Sequence, residues 1–236
     1  MKINVLTYNV HKGVGWGIRR NTTDQIKLRI HEHQPDIVFL QETRGEQIPA
    51  FISDFCPHSA YGKNRVVRQG DYGNVILSKF PIIYSTNLDL STHRYERRGL
   101  LHAIVQFADT KTLHLLCVHL GLFMNGRRQQ LEWIVEYIQN RIGQKEAIIL
   151  SGDFNDWTRY ATKPLIKNLQ MEEAFLNHRG QYAMSFPAWA PVLPLDRIYY
   201  RGFSVYQAER LAGRDWRFLS DHIALTAQLE WMENNE

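Results

Sequence analysis

The sequence predicts an α/β fold of packed β-sheets with helices on their outer faces. Three observations carry this expectation. Short apolar or alternating runs with strand character recur along the whole chain, bounded by polar or glycine-containing breaks. Helical periodicity is strong in only two places. Those helices separate only some of the strands, which suits stacked sheets better than a regular βα alternation.

Taken in order, residues 3–10 alternate as a half-buried strand, and a helix over residues 23–33 follows the capping signal "NTTD" and stops before Pro35. Further strands are expected over residues 36–41, 74–78, 82–90, 100–107 and 112–119. The best helix spans residues 126–142, where Leu131, Ile134, Val135, Ile138 and Ile142 fall on one face. Strands over residues 147–152, 197–200, 204–210 and 223–229 complete the map. The proline-rich "FPAWAPVLPLD" reads as an irregular loop, because a strand pattern follows at once. There is no internal repeat and no low-complexity segment.

Composition bounds the function classes. A chain of 236 residues with 44% hydrophobic content can bury one large core, so residues 1–236 are expected to form a single domain. The net charge of +4, from 28 basic and 24 acidic residues, favours anionic partners without a histone-like excess. Two cysteines supply neither a disulfide framework nor a zinc cluster, and Cys117, inside "LHLLCVHL", reads as a small core residue. The opening "MKINVLTYNV" enters a strand pattern without a secretory leader, and no run is long enough to span a membrane. A cytoplasmic, monomeric protein is the expectation.

Polar residues collect at strand ends. Asn9 ends the first strand, Gln41 and Glu42 the second, His119 ends "LLCVHL", Asp153 and Asn155 end "AIILSGDFN", and Asp221 and His222 precede the last strand. On an extended chain Asp153 and Asn155 point to one face and Phe154 to the other, which aims a carboxylate and an amide at a shared cleft. Singly, each has a bland reading as a turn residue or solvated end. Together, an ordered set of strand ends bearing oxygen ligands and imidazoles points to chemistry. His31 and His33, two apart on a helix, face different ways and make no metal pair.

The ordered set resembles the endonuclease/exonuclease/phosphatase superfamily. The matching motifs are "LTYNVHKG", "PDIVFLQE", "GNVILSKFPI", "RRGLLHAIV", "LLCVHLG", "LSGDFND", "LDRIYY" and "LSDHIALTAQL", running from residue 6 to 229. The resemblance implies a four-layered αββα sandwich, two mixed sheets face to face with helices outside. It also implies a metal-dependent hydrolase of phosphate esters, most similar to nuclease-like phosphodiesterases. Glu42 resembles the main carboxylate ligand of Mg²⁺ or Mn²⁺, with Asn9 and Asp221 as further ligands or water-mediated partners; hard oxygen donors suit these ions and not zinc. His222 resembles the base or electrostatic partner at the scissile phosphate, and Asp196 of "PLDRI" the carboxylate that fixes its tautomer. Asp153 resembles the group that orients the attacking water, and Asn155 a hydrogen-bond donor to the phosphate. His119 is expected as a further catalytic residue that assists the leaving group, and Arg98, His11 and Asn74 complete the implied phosphate and substrate lining.

Departures narrow the substrate slightly. Abasic-site endonucleases carry an acidic residue two positions after the first-strand Asn, where this chain has His11, and the "HL" after Val118 is likewise unlike that branch. The chain is most similar to small bacterial cytoplasmic members. Three segments are expected to set specificity: "HKGVGWGIRRN", "YGKNRVVRQGDYGN" and "SFPAWAPVLPLD". Their Trp16 and Trp189 offer flat apolar surfaces, and Arg19, Arg20, Lys63, Arg65 and Arg68 offer cations, a mix that suits nucleic acid or a phospholipid head group. The alternatives are a phospholipid or small-molecule phosphoesterase and a binding module that has lost turnover. The retention of Asn9, Glu42, Asp153, Asn155, Asp196, Asp221 and His222 disfavours the last.

Overall fold

The computed structural model describes residues 1–17, 20–68, 70–108 and 111–232. In chain order the elements are β1 (Lys2–Asn9), α1 (Thr23–His33), β2 (Ile37–Arg44), α2 (Ile48–Phe51), β3 (His58–Val67), β4 (Gly70–Ser78), β5 (Ile82–Asp89), β6 (Gly99–Ala108), β7 (Lys111–His119), α3 (Met124–Arg141), β8 (Ala147–Asp153), α4 (Thr162–Leu169), β9 (Glu172–Glu173), α5 (Ala174–Arg179), β10 (Asp196–Arg201), β11 (Phe203–Leu211) and β12 (Ala224–Trp231). Two six-stranded sheets result, ordered β11-β12-β1-β2-β4-β3 and β5-β6-β7-β8-β10-β9. Both are mixed, since β1 and β2 run parallel, as do β7 and β8, while their other neighbours are antiparallel.

Side-chain alternation explains the layering. Ile3, Val5, Ile37, Phe39 and Ile76 from the first sheet meet Leu101, Ala103, Leu115, Cys117 and Ile149 from the second in a core between the sheets. The intervening residues point outward: Leu6, Tyr8, Val38 and Leu40 pack under Ile26 and Ile30 of α1. Leu100, Leu116, Val118, Ile148 and Leu150 pack under Leu131, Ile134 and Ile138 of α3 and Leu165 of α4. Each such aliphatic stabilises the fold by roughly 1.5–3 kcal/mol relative to exposure. The outcome is the expected αββα sandwich.

Local differences from the sequence reading have physical reasons. No strand is expected over residues 58–67, yet β3 pairs with β4 through the middle of "YGKNRVVRQGDYGN". It is an edge strand whose polar side chains are mostly exposed, so apolar alternation is absent. The capping signal before α1 works differently from its pattern: Asn21 Oδ1 accepts from Thr23 N at 2.9 Å, while the Thr22 hydroxyl donates to Leu219 O at 2.8 Å. The helix ends at Gln34, in the left-handed region, ahead of Pro35. Cys117 is a fully buried core residue, as expected.

A polar chain crosses the outer face of the second sheet. His102 on β6 contacts the Tyr137 hydroxyl of α3 through Nδ1 at 2.9 Å and His114 Nδ1 on β7 through Nε2 at 3.0 Å. His114 Nε2 faces Glu146 at 3.6 Å. Both imidazoles are buried.

Candidate active site

Pairing of the strands aligns the polar ends. His119 of β7 lies in register with Asp153 of β8, and Asp153 with Asp196 of β10, so three strand ends form one row. Asn9 of β1 closes the facing sheet at the same rim, donating from Nδ2 to Asp153 Oδ2 at 3.0 Å. The turn of "LSGDFND" is possible because Gly152, at φ 141°, takes a conformation that side-chain-bearing residues avoid, and a Cβ there would meet Val118 O at 2.0 Å. Asn155 follows at φ 49°, a region asparagine tolerates.

Asp153 is the hub. It is 1% exposed; Oδ1 accepts from Asn155 N at 2.9 Å, and Oδ2 faces His119 Nε2 at 3.5 Å and His222 Nε2 at 3.7 Å. Burial pushes its carboxyl above the ordinary carboxylate range, against the opposing pull of His222. On the far side of His222, Nδ1 lies 2.8 Å from Asp196 Oδ2. Burial acts to lower His222, but Asp196 and Asp153 outweigh it and hold the imidazolium up to about 10. His119 goes the other way: burial and then Arg98 keep it well below the usual histidine value, hence neutral at pH 7.

Glu42 reaches the cleft through a bulge. The β2/β4 register slips by one residue between Leu40 and Thr43, and Glu42 takes φ 55°, which turns its side chain away from the strand alternation. Its Oε1 lies 4.0 Å from His119 Nε2, and its Oε2 2.6 Å from Lys12 Nζ. Burial opposes ionisation, yet His119, Lys12 and His11 together bring the carboxyl down to about 2. Since His119 is neutral near pH 7, Lys12 is the cation that holds Glu42 ionised there. Asp221 sits 3.7 Å from His11 Nδ1. Asn9 is fixed from behind, its carbonyl accepting from Ser220 Oγ at 2.7 Å and its Oδ1 from His11 N at 3.0 Å.

Most of the expected set thus converges: Asn9, His11, Glu42, His119, Asp153, Asn155, Asp196, Asp221 and His222. Arg98 is close enough to act on His119, but its guanidinium is engaged, with Nε donating to Leu120 O at 2.9 Å and Nη2 3.4 Å from Glu96 Oε1. Asn155 shares that carbonyl, donating from Nδ2 at 3.0 Å. Asn74 is a correction. Both its N–H groups are spent on Gly99 O and Cys117 O, 2.9 and 3.1 Å away, so it clamps the two sheets together and has no donor left for a phosphate. Gln41 likewise turns into the core, toward Thr7 and Cys117. Lys12 and Ser220 escape the sequence reading although both lie inside quoted motifs; a cation three residues past Asn9 was the available signal.

Among the expected specificity segments, Trp16 and Trp189 are both exposed. Lys63 is paired with Asp71 at 2.6 Å, whereas exposed Arg65 donates to the neutral Tyr72 hydroxyl at 3.3 Å and keeps its charge. Arg20 and Arg68 are exposed. Arg19 lies outside the described residues. His31 and His33 pack against Phe55 and Trp216.

The profile of the endonuclease/exonuclease/phosphatase family matches residues 6–222, which include Asn9, Glu42, Asp153 and His222. The chain belongs to that family. An endonuclease/exonuclease/phosphatase protein from Bacteroides vulgatus has a similar structure, with a TM-score of 0.80 at 20% identity over 98% of this chain and 100% of that one. Danio rerio TDP2, complexed with a single-strand DNA product, gives a TM-score of 0.74 at 20% identity over 97% and 99%. In sequence, the uncharacterized protein YbhP of Escherichia coli K12 is 36% identical over 241 residues, 95% of each chain. Among the described residues, no helix of this family member is long and apolar enough to cross a membrane.

Proposed function

We propose that the protein is a divalent-metal-dependent phosphodiesterase. The observation that carries the reading is the buried line Asp196–His222–Asp153, met by His119 at the same carboxylate. A solvated turn does not bury two carboxylates about one imidazole, because desolvating them costs several kcal/mol that only pairing offsets, and such buried clusters gather at functional sites.

Among the described residues, two places around the cleft offer metal donors. Asp153, Asp196 and His222 present ligand atoms within 4.8 Å of one another. The Nδ1 of His222, however, is engaged with Asp196, and the flanking Asp196 and Asp153 carboxylates favour the protonated ring, which has no lone pair to give. Glu42 fits better: it is ionised, largely buried, and already faced by a cation in the form of the Lys12 ammonium. Glu42, with Asp221 and the Asn9 Oδ1, makes a set of hard oxygen donors suited to Mg²⁺ or Mn²⁺. Such an ion supplies Lewis-acid neutralisation of the phosphate oxygens.

The chain's own residues supply the rest. Asp153, oriented by Asn9 Nδ2 and Asn155 N, orients the attacking water and accepts its proton, a task suited to a carboxyl raised by burial. His222 presents the Nε2 proton of a cation to the phosphoryl group, with Asp196 fixing the ring. His119, being neutral, assists the departing oxygen as a hydrogen-bond donor. His11 lines the same rim beside Asp221.

The test is hydrolysis of a chromogenic bis-aryl phosphodiester, nucleic acids, phospholipids and inositol phosphates with Mg²⁺ and Mn²⁺. Glu42→Ala should abolish turnover and weaken Mg²⁺ binding by calorimetry while the protein stays folded. Full activity of that variant at low Mg²⁺ removes the metal assignment. Folded wild-type protein inert toward every ester would instead make it a binding module.

A further inference from the structure

Three consecutive large apolar residues stand out in solvent just past the catalytic strand end. Leu122, Phe123 and Met124 are 52%, 73% and 45% exposed, where the loop after His119 turns into α3. Nothing in the catalytic reading uses them. A run of this kind on an otherwise polar rim marks a contact surface.

Its surroundings are continuous and cationic. Leu122 N donates to Glu96 Oε1 at 2.9 Å, which ties the tip to the loop carrying Arg94, Tyr95 and Arg97, with Tyr95 63% exposed. On the other side Arg127 donates to the carbonyls of Gly121 and Leu122 and lies 4.3 Å from the ring of half-exposed Trp157. Next along α3, Arg128 sits 5.0 Å over Tyr160. Exposed Arg94 and Arg128 thus flank the apolar tip among tyrosine and tryptophan, while nearby Arg97 pairs with Asp89 at 3.6 Å. The nearby acids are engaged: Glu96 with Arg98 and Leu122 N, Asp89 with Arg97, and buried Asp156 with Thr158 and the backbone of Ala161.

We propose that this rim is a membrane-docking surface for anionic phospholipid, and that the substrate is a phosphodiester presented at a lipid surface. An apolar tip that enters the acyl boundary, aromatics at head-group depth and arginines on the phosphates are what such a surface needs. A single-stranded nucleic acid is the poorer match, because Leu122 and Met124 have no π-face on which a base can stack. The tip is also coupled to the site. Leu120 O, two residues before it, holds both Arg98 Nε and Asn155 Nδ2, and Trp157 is two residues past Asn155. Seating the tip therefore brings the Asp153 cleft onto the head groups. The choice of substrate rests on the phosphodiesterase reading; the docking does not.

The experiment is co-sedimentation of the intact protein with vesicles of phosphatidylcholine alone or of equal parts phosphatidylcholine and phosphatidylglycerol. Wild type should partition into the anionic vesicles on the order of tenfold better than into the neutral ones, less so at high salt. Leu122→Ser/Phe123→Ser/Met124→Ser should lose that partitioning by tenfold or more while keeping full hydrolysis of the soluble chromogenic diester. Equal partitioning of variant and wild type overturns the proposal, as does a variant that loses binding of a single-stranded oligonucleotide and keeps vesicle binding. Should the triple variant misfold, Phe123→Trp decides: its emission should shift to the blue on adding anionic vesicles, and an unchanged spectrum overturns the docking. Vesicle binding without hydrolysis of any diester refutes the phosphodiesterase reading and leaves the docking standing.

Discussion

Replacing His102 with glutamine should flatten the acid limb of the stability curve. His102 is 2% exposed, and burial first, then His114, holds its imidazole down to about 4 from the ordinary 6.5. The folded-state value lies below the unfolded one, so the unfolded chain takes up the proton first. Stability is therefore complete above about pH 6.5 and is lost as the pH falls toward 4. The loss amounts to about 2 kcal/mol by pH 5 and approaches about 3 kcal/mol below pH 4. Neutral His114, also lowered by burial, adds in the same direction. Urea unfolding of wild type and His102→Gln at about pH 7.5 and about pH 5 isolates the effect, since the carboxylates common to both proteins cancel in the difference. Glutamine leaves Tyr137 or His114 less well paired and lowers stability at both pH values by about 1–3 kcal/mol. The informative quantity is the slope: wild type should lose about 2 kcal/mol more than the variant across that interval. Parallel pH dependences would refute the reasoning.

Asp196 and His222 should behave as one unit in turnover: each alanine variant costs on the order of 10²-fold or more, and the double costs far less than the product, whereas multiplicative losses would show two independent groups. His119→Ala should lose on the order of 10²-fold or more on an alkyl phosphodiester and far less on a nitrophenyl one, because a nitrophenolate departs without help; equal losses on both would move His119 to a non-bridging oxygen. Gly152→Ala should destabilise the protein by more than about 3 kcal/mol, since the new Cβ collides with the Val118 backbone at an unfavourable φ; an unchanged thermal midpoint would contradict the geometry of the strand end.

Where a residue's role follows from alternation or strand position, the sequence reveals it. The inward and outward faces of β1, β2, β6, β7 and β8 follow from period-2 runs, and the strand ends Asn9, His119, Asp153 and His222 meet as their placement implies. What stays hidden depends on contacts made across the fold. The edge strand β3 carries little apolar signal because one of its sides meets solvent. Helix α4, with Pro164 in its first turn, is too short for its buried Leu165 and Leu169 to establish a period. Asn74 resembles a site residue until its two N–H groups are seen to reach β6 and β7, and Lys12 gains meaning only because the bulge in β2 swings Glu42 toward it. His102 and His114 sit in ordinary strand patterns; only the arrival of α3 above them makes the pair buried and neutral.

The pairing of Lys2 with Glu230, and of β1 with β12 along its length, has a bearing on biosynthesis. A ribosome delivers β1 long before β12, so during elongation one side of that strand has no neighbour. The rim that carries Asn9 is completed by the Ser220 hydroxyl and the His222 ring, which arrive together with that late strand. Contacts so distant along the chain fold slowly relative to local ones. Any turnover that depends on this rim should consequently wait until β12 has left the ribosome, and its appearance in a translation reaction would time the closing of the first sheet.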